Sequence, residues 1–333
     1  MYIPENYYSS LDLLHTEYAI KLVKDTFERR LARHLNLTRV SAPLMVRQDS
    51  GLNDNLNGYE RPITFRAKDI EGDMEIIHSL AKWKRMALKN YGIKRFKGIY
   101  TDMNAIRRDE KLDNLHSIYV DQWDWEKVIE KEDRTIDFLE GTVDRIMMAI
   151  IDTEEAIRES YPELDIIVES PDVFFITSKE LYDLYPDLTA KEREQKIVKD
   201  KKTVFIMQIG DTLPDGLPHD GRAPDYDDWA LNGDLLFWYD ILDTAVEISS
   251  MGIRVDAESL LYQLEKSGNM DRVRLPFHQA LLNGELPLTM GGGIGQSRLC
   301  MLLLNKAHVG EVQASVWPKE MIETCRRNNI ELL

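Results

Sequence analysis

The sequence predicts an α+β protein with a largely antiparallel sheet. A long amphipathic pattern over residues 11–36 comes first, and most later segments are typical of strands with helices inserted between them. The chain lacks the regular strand–helix alternation of a parallel doubly wound sheet. It also contains no repeat, no low-complexity segment and no linker rich in Pro, Gly or Ser. We therefore expect residues 1–333 to form a single domain.

The composition limits the partners and the compartment. Hydrophobic residues make up 43% of the chain, enough for a large buried core. The net charge of −16 disfavours non-specific binding to nucleic acids, which depends on clustered Lys and Arg. Cys300 and Cys325 are too few for a disulfide framework or a metal cluster. With no signal-peptide pattern and no apolar run near ~20 residues, we expect a soluble cytoplasmic protein without a membrane or nucleic-acid partner.

Apolar periodicity defines the main helices. Residues 11–36 and 135–161 carry apolar side chains at spacings of three and four, which predicts two long helices. Residues 78–92 predict a third helix, capped by Ser79 and closed at Gly92. The segment LTRVSAPLMV predicts a strand, with Pro43 indicating a sheet edge or an interface.

The strand patterns begin with a hairpin. Residues 98–109 and 117–129 predict two strands joined by a polar link. Arg107 near the end of the first strand is either solvated or a clamp for an α-phosphate. Alternation places Val120, Gln122 and Asp124 on one face of the second strand and two tryptophans on the other. The polar face is either ordinary mixed packing or a pocket wall where Gln122 and Asp124 bind an amine.

Residues 203–209, 235–242 and 244–251 predict further strands, and acidic residues lie in and next to the last two. The segment RAPDYDDW (222–229) predicts a solvated loop, with a pocket loop around Asp227 as the alternative. Asp234 and Glu247 lie on adjacent predicted strands, where carboxylates are costly unless paired or metal-bound. Since Mg²⁺ binds one or two carboxylates plus substrate phosphates, this pair predicts a magnesium site. Arg254 ends the second of these strands, a common position for site residues.

The segment GGGIGQSRLCMLLL (291–304) joins glycines to a helical pattern. Read from Gly293, the last glycine of a dinucleotide-binding fingerprint is replaced by Arg298, and the lysine of a P-loop is missing. Arg298 in the first turn of a helix could hold a phosphate or stack on a base. The alternative is that the glycines only allow the helix to approach the sheet closely.

Together these segments resemble the catalytic core of class II aminoacyl-tRNA synthetases. Residues 11–45 with Pro43 resemble the first motif of that family, and the hairpin with Arg107 resembles the second. GGGIGQSRLCMLLL with Arg298 resembles the third, a glycine-rich strand followed by an arginine and a helix. The resemblance implies an antiparallel sheet that binds ATP in a bent form, with Arg107 on the α-phosphate and Arg298 at the adenine and γ-phosphate end. It also implies a homodimer.

Longer segments resemble one family more closely, the ammonia-dependent asparagine synthetases. They are DNLNG, HSLAKWKR, LHSIYVDQWDWE, RAPDYDDW, LNGDL, SSMGIRVDA and GGGIGQSRLCMLLL, spread over about residues 10 to 318. This family has the synthetase core without an anticodon-binding domain. The sequence departs from its pattern at Arg108, where proline is expected, in a shortened segment at 228–232, and in the tail after Trp317.

The resemblance implies a two-step reaction. ATP and L-aspartate would give β-aspartyl-AMP and pyrophosphate, and ammonia would then give L-asparagine and AMP. Arg107 and Mg²⁺, held by Asp234 and Glu247, would stabilise the charge that develops on the phosphates. Lys84 would bind an aspartate carboxylate, and Arg254 the substrate or a phosphate.

The remaining roles also follow from the resemblance. Gln122 and Asp124 would hold the α-ammonium group. Asp54 and Asp227 would complete the amino-acid pocket or deprotonate ammonium. The nucleotide or aspartate would be lined by the following residues: Ser117, Val120, Ser249, Ser250, Gly293 and Gly295.

Two other functions fit parts of the pattern. A tRNA-linked, aspartyl-adenylating enzyme would share the motifs, although the anticodon-binding domain is missing. A non-catalytic synthetase paralogue would be expected to lack motif arginines or metal-binding acids, yet Arg107, Arg298, Asp234 and Glu247 are all present. Glutamine-dependent amidation would need a nucleophilic cysteine, a role for which neither cysteine is suitably placed.

Overall fold

The computed structural model describes residues 1–53, 56, 60–165, 167–168 and 170–333. Within these residues the α-helices are α1 (Leu13–Leu35), α2 (Ala81–Asn90), α3 (Ile136–Ser160), α4 (Ser178–Leu184), α5 (Ala190–Lys201), α6 (Ala257–Lys266), α7 (Pro276–Leu282), α8 (Gln296–Leu303) and α9 (Lys319–Arg327). The strands are β1 (Leu37–Arg39), β2 (Met45–Arg47), β3 (Thr64–Phe65), β4 (Met74–Ile76), β5 (Gly98–Ile106), β6 (Tyr119–Val128), β7 (Phe174–Thr177), β8 (Thr203–Met207), β9 (Asp227–Tyr239), β10 (Thr244–Arg254) and β11 (Thr289–Gly295).

Eight strands form the central sheet, in the order β1-β5-β6-β11-β10-β9-β8-β7. Neighbouring strands are antiparallel except for the parallel pairs β1–β5 and β7–β8. The remaining three strands form a small sheet in the order β2-β4-β3. The prediction of an α+β fold with a mainly antiparallel sheet is confirmed. The prediction of one strand for LTRVSAPLMV is wrong, because β1 and β2 lie in different sheets on either side of Pro43.

The back face of the central sheet is covered by the two long helices. Asp12 begins α1 by accepting a hydrogen bond from the backbone N–H of His15 (2.8 Å), and Asn36 ends it in a left-handed conformation. The apolar side of α1 packs with α3 and with the tryptophans of β6, and the rings of Phe27 and Trp123 lie 4.6 Å apart. Burying each large apolar side chain of this kind contributes roughly 1.5–3 kcal/mol.

The front face is covered at its two sides and open in the middle. Near β5, Leu80 and Ile77 pack on Met103 and Ala105. Near β8 and β9, α4 and α5 cover a second apolar cluster that includes Trp238. The uncovered strands between these clusters are β6, β11 and β10, which carry the polar side chains described below.

A buried carboxylate joins the front helices to the start of β9. Asp225 is fully buried, and its Oδ2 lies 3.2 Å from Lys82 Nζ in α2 and 3.1 Å from Arg272 Nη1. The ring of His278 in α7 also reaches this oxygen (Nε2 at 3.0 Å). The prediction that RAPDYDDW is a solvated loop is wrong, because Asp225, Asp227 and Asp228 are all buried. Their paired cations offset the cost of removing the carboxylates from water.

Within the described residues, no helix is both long and apolar enough to cross a membrane.

Replacing Asp225 by Asn should destabilise the fold by about 3–5 kcal/mol, because it leaves the buried Lys82 and His278 and the half-buried Arg272 without their anion. Although burial alone would raise it, Lys82, His278 and Arg272 hold the pKa of Asp225 below its ordinary value. This stabilisation is therefore complete above about pH 4 and is lost as the pH falls below that. Urea unfolding as a function of pH measures it. The exposed Asp69→Asn is the control, expected within ~0.5 kcal/mol of wild type; similar unfolding curves for the two variants would contradict the prediction.

Candidate active site

A cleft of about 400 Å³ opens on the uncovered middle of the front face. β6, β10 and β11 form its floor, and the segments at 107–122 and 220–227 form much of its wall. Most predicted site residues line it: Arg107, Ser117, Val120, Gln122, Asp124, Asp227, Glu247, Ser250, Arg254, Gly293, Gly295 and Arg298.

Arg107 lies in the part of the cleft that is predicted to bind the nucleotide, and its side chain is not fully hydrogen-bonded. The backbone N–H of Arg107 donates to Ile118 O (2.8 Å) and closes the hairpin. Arg107 lines the cleft, and its Nε is buried without a hydrogen-bond partner. A buried donor in this state costs about 1–3 kcal/mol. An oxyanion in the cleft would remove that cost.

Side-chain alternation divides β6 as predicted. Trp123 and Trp125 are buried in the back core, whereas Gln122 and Asp124 face the cleft. Beneath Asp124 lies Lys84, which is fully buried and forms an ion pair with it. Burial raises the pKa of Asp124 above its ordinary value, and Lys84 offsets only part of that effect. Lys84 therefore supports the cleft from below and does not line it.

Two carboxylates hold Arg254 across the central strand. Its Nη2 and Nε lie 2.8 and 3.0 Å from Glu126 of β6, and its Nη1 contacts Asp227 of β9. β11 runs between β6 and β10, and a Cβ on Gly291 would collide with both Glu126 and Arg254. Glycine at this position is therefore required for the ion pair to cross the strand. Burial alone would raise the pKa of Glu126, but Arg254 and Lys84 bring it below its ordinary value.

A bulge brings Asp227 to the cleft. The register pairs Gly252 with Asn232 and Arg254 with Asp227, so residues 228–231 bulge out of β9. Paired residues share a face of an antiparallel sheet. Asp227 therefore faces the same side as Asp234, although simple alternation along the sequence would put them on opposite sides.

The predicted metal-binding acids also share a face, because Glu247 pairs with Leu236, which lies two residues from Asp234 in β9. A bulge at Ile248 in β10 then pairs Ser250, and not Ser249, with Asp234. Burial and the nearby charge of Glu247 raise the pKa of Asp234 to about 7, despite an ion pair with Arg222. Among the described residues no group of three or more metal-ligating side chains is present. Two hard carboxylates that repel each other still suit Mg²⁺, which takes its other ligands from phosphates and water.

The glycine-rich segment is a strand, β11, that leads directly into α8. Arg298 lies in the first turn of α8 and donates from Nη1 to Glu247 O (2.9 Å). Asp121 fixes the start of α8, because its Oδ1 accepts from Ser297 N (3.1 Å) and Gln313 Nε2 (3.2 Å). These contacts hold the guanidinium of Arg298 at the edge of the cleft.

Besides Lys84, two predicted site residues in the described part of the chain, Asp234 and Ser249, lie outside the lining. Asp54 is outside the described residues. Asp234 is buried behind Arg222, which itself lines the cleft. Ser249 pairs with Ile294 and so points to the back face, where its Oγ has no hydrogen-bond partner. The expectation that both serines line the cleft is therefore corrected: Ser250 does, and the side chain of Ser249 does not.

Sequence reasoning missed lining residues that include Asp121, Arg222 and His78, and it missed Glu126, the buried partner of Arg254. Glu126 continues the alternating series of Gln122 and Asp124, so the strand pattern could have identified it. Arg222 begins the segment RAPDYDDW, but its pairing with Asp234 depends on tertiary structure.

Comparison with known proteins gives a consistent assignment. The family described as aspartate-ammonia ligase matches residues 14–329. A protein from Ruminiclostridium cellulolyticum with the name aspartate–ammonia ligase is 60% identical over 331 residues, 99% of this chain and 98% of that protein. One from Clostridium tetani with the same name is 60% identical over 332 residues, 99% of this chain and 97% of that protein.

Solved structures with a similar fold are class II synthetases. The asparaginyl-tRNA synthetase of Pyrococcus horikoshii, complexed with asparaginyl-adenylate, superposes with a TM-score of 0.65 at 15% identity, covering 91% of this chain and 70% of that one. The Entamoeba histolytica asparaginyl-tRNA synthetase, also with asparaginyl-adenylate, gives 0.63 at 12% identity, covering 90% and 66%. The predicted synthetase-like fold is confirmed. The match along almost the full length shows that the chain belongs to the aspartate–ammonia ligase family.

Proposed function

We propose that this chain is an AMP-forming ligase that converts L-aspartate, ammonia and ATP into L-asparagine through β-aspartyl-AMP. The observation that carries the proposal is the 60% identity, over nearly the whole chain, to proteins named aspartate–ammonia ligase. The cleft supports it, because the sheet that carries it has the fold of synthetases solved with an aminoacyl-adenylate. A carboxylate is a poor electrophile, and adenylation gives its carbon a leaving group.

ATP would bind between the two motif arginines. Arg107 has an unpartnered buried Nε for the α-phosphate, and Arg298 is held at the edge of the cleft by Glu247 O. Catalysis of this step depends mainly on alignment of the aspartate β-carboxylate with the α-phosphorus and on donors placed where charge develops. Ser117, Val120 and Ser250, with Gly293 and Gly295, would shape the surface around the nucleotide and the amino acid.

Asp234 and Glu247 would hold Mg²⁺ together with the phosphates of ATP. The ion would neutralise phosphate charge when bound. Arg222, which pairs with Asp234 and has a buried Nε without a partner, lies where it can also reach a phosphate.

Aspartate would bind to side chains that already form ion pairs in the free protein. Gln122 and Asp124 would accept hydrogen bonds from the α-ammonium group, and Asp54 or Asp227 would complete this pocket. Arg254 uses three of its five N–H groups on Glu126 and Asp227, which leaves two for a substrate carboxylate. Lys84 would act on the same substrate through Asp124, which it contacts directly.

We further propose that residues 1–333 act as one catalytic domain, in a cytoplasmic homodimer that needs no nucleic acid. The similarity to tRNA synthetases favours one competing function, transfer of the activated aspartate to a tRNA. Purified protein with Mg·ATP, L-aspartate and ammonium, and without tRNA, separates the two. Asparagine with AMP supports the ligase, and ADP would overturn the adenylate route. Pyrophosphate exchange without asparagine would favour the tRNA-linked reaction.

Replacing Arg107 by Ala should reduce aspartate-dependent pyrophosphate exchange by about 10²–10³-fold, the usual cost of losing one donor to a developing oxyanion. Arg107→Lys should recover part of this loss, since lysine keeps the charge and loses the fork of donors. The exposed Arg145→Ala on α3 is the control, expected to match wild type. Exchange near the wild-type rate in Arg107→Ala would refute the assignment.

Replacing Glu247 by Gln should raise the Mg²⁺ concentration needed for half-maximal pyrophosphate exchange by at least ~10-fold. Mutating a residue that only supports a metal ligand already lowers metal affinity by about 10–100-fold, so losing a direct ligand should cost no less. Metal-free binding of AMP, measured by calorimetry, should change little. The exposed Glu265→Gln serves as the matched variant. An unaltered Mg²⁺ requirement in Glu247→Gln would remove this residue from the metal site.

Replacing Gly293 by Ala should raise the KM for aspartate by about tenfold or more, because a Cβ there would lie 2.5 Å from Gln122 Oε1 and displace that side chain. Gly141→Ala is the comparison, since nothing lies within 4 Å of its Cβ position in α3. That variant should keep its KM and gain about 0.5–1 kcal/mol of stability. If Gly293→Ala binds aspartate normally, Gln122 does not hold the substrate.

A further inference from the structure

His78 is a buried imidazole without a structural partner. It lies in the loop between β4 and α2 with 1% of its surface exposed, and neither Nδ1 nor Nε2 has a hydrogen-bond partner. Its backbone N–H donates to Asn53 Oδ1 (2.8 Å), and Asn53 Nδ2 donates to Ile76 O (3.3 Å). The backbone contacts thus hold the loop in place while leaving the ring unsatisfied. Since buried polar groups are normally paired, the ring is available for a ligand.

The ring belongs to the wall of the same cleft. His78 and the adjacent Ser79 line it together with Gln122, Asp124 and Asp227. Both of these carboxylates already pair with buried cations, Asp124 with Lys84 and Asp227 with Arg254. Each of these carboxylates is therefore already engaged by a cation, whereas the imidazole of His78 has both of its nitrogens unpartnered. A neutral imidazole has one nitrogen that accepts and one that donates, and histidine is the side chain most often used to move protons in catalysis.

On the basis of the ligase function proposed above, we propose that His78 binds the incoming ammonium ion and takes its proton. One N–H bond of NH₄⁺ breaks, its electron pair stays on nitrogen, and the proton moves to the unprotonated ring nitrogen of His78. The lone pair of NH₃ forms the C–N bond to the β-acyl carbon of β-aspartyl-AMP. The C–O bond to AMP breaks and AMP leaves with that electron pair. One further proton passes from the new nitrogen to water, which gives asparagine.

The test compares three reactions of His78→Gln in the full-length enzyme: aspartate-dependent pyrophosphate exchange, asparagine formation from ammonium, and aspartyl hydroxamate formation from hydroxylamine. Hydroxylamine is largely uncharged near neutral pH, so it attacks the adenylate without first losing a proton. Asparagine formation should fall by ~10²–10⁴-fold, the usual contribution of a general base. Exchange and hydroxamate formation should stay within about threefold of wild type, because neither uses that base.

A second variant, His78→Ala, adds a readout that a structural role would not change. Imidazole added to the solution should restore part of its asparagine formation and leave its hydroxamate formation unchanged. The control is His15→Gln, at a side chain that is 59% exposed and paired with Asp12; all three of its rates should match wild type.

Equal losses of asparagine and hydroxamate in the His78 variants, or no loss of asparagine, would overturn the proposal. Loss of exchange in both variants would also overturn it, because His78 would then be needed for adenylation or folding. A wild-type enzyme that shows neither exchange nor asparagine formation would instead refute the ligase function itself. The two failures are distinguishable because only the second affects the unmodified protein.

Discussion

The cleft depends on one buried ion-pair arrangement, in which Arg254 joins Glu126 on one side of β11 to Asp227 on the other. Three charges with almost no contact with water are tolerable only if each is paired and hydrogen-bonded. The pairing requires long side chains to cross a strand, and so the strand beneath must lack side chains on that face. The glycines of β11 meet this requirement, and the strand needs them for close approach and not for an unusual backbone conformation.

This arrangement decides which parts of the cleft are rigid before substrate arrives. Asp124 with Lys84 and Asp227 with Arg254 are already paired, so their desolvation is included in the folding free energy. The proposed aspartate pocket is therefore preorganised, and a bound amino acid would displace little internal structure. Preorganised charge is most effective where it need not rearrange during the reaction.

The sequence predicts the parts of the fold that depend on local periodicity. The 3.6-residue pattern identifies α1 and α3, and alternation along β6 separates Gln122 and Asp124 from the tryptophans behind them. Alternation fails where a bulge changes the count: Asp227 reaches the cleft face because residues 228–231 are inserted, and Ser250 replaces Ser249 there through the register of β10. Asp225 shows a different limit. Its acidic neighbours indicate solvent, but Lys82, Arg272 and His278, which bury it, come from distant segments.

The amino-acid end of the cleft is lined by charges that are already paired, whereas the nucleotide end contains polar atoms without a partner in the free protein. Arg107 and Arg222 each keep a buried Nε without a partner, and Asp234 has its pKa raised to about 7 by burial and by Glu247. These groups carry an electrostatic cost in the free protein that phosphate oxygens and a divalent cation would relieve. Removing Arg254 would therefore affect folding first, because it takes the ion-pair partner from Asp227 and leaves Glu126 with Lys84 alone, 3.7 Å away. Removing Arg107 would relieve a cost in the free protein, and its effect would appear only when ATP binds. Substitutions at the amino-acid end are therefore expected to reduce folding stability, and substitutions at the nucleotide end to reduce ATP binding, because the charges at the amino-acid end are already paired in the fold, whereas the nucleotide end keeps polar atoms without a partner.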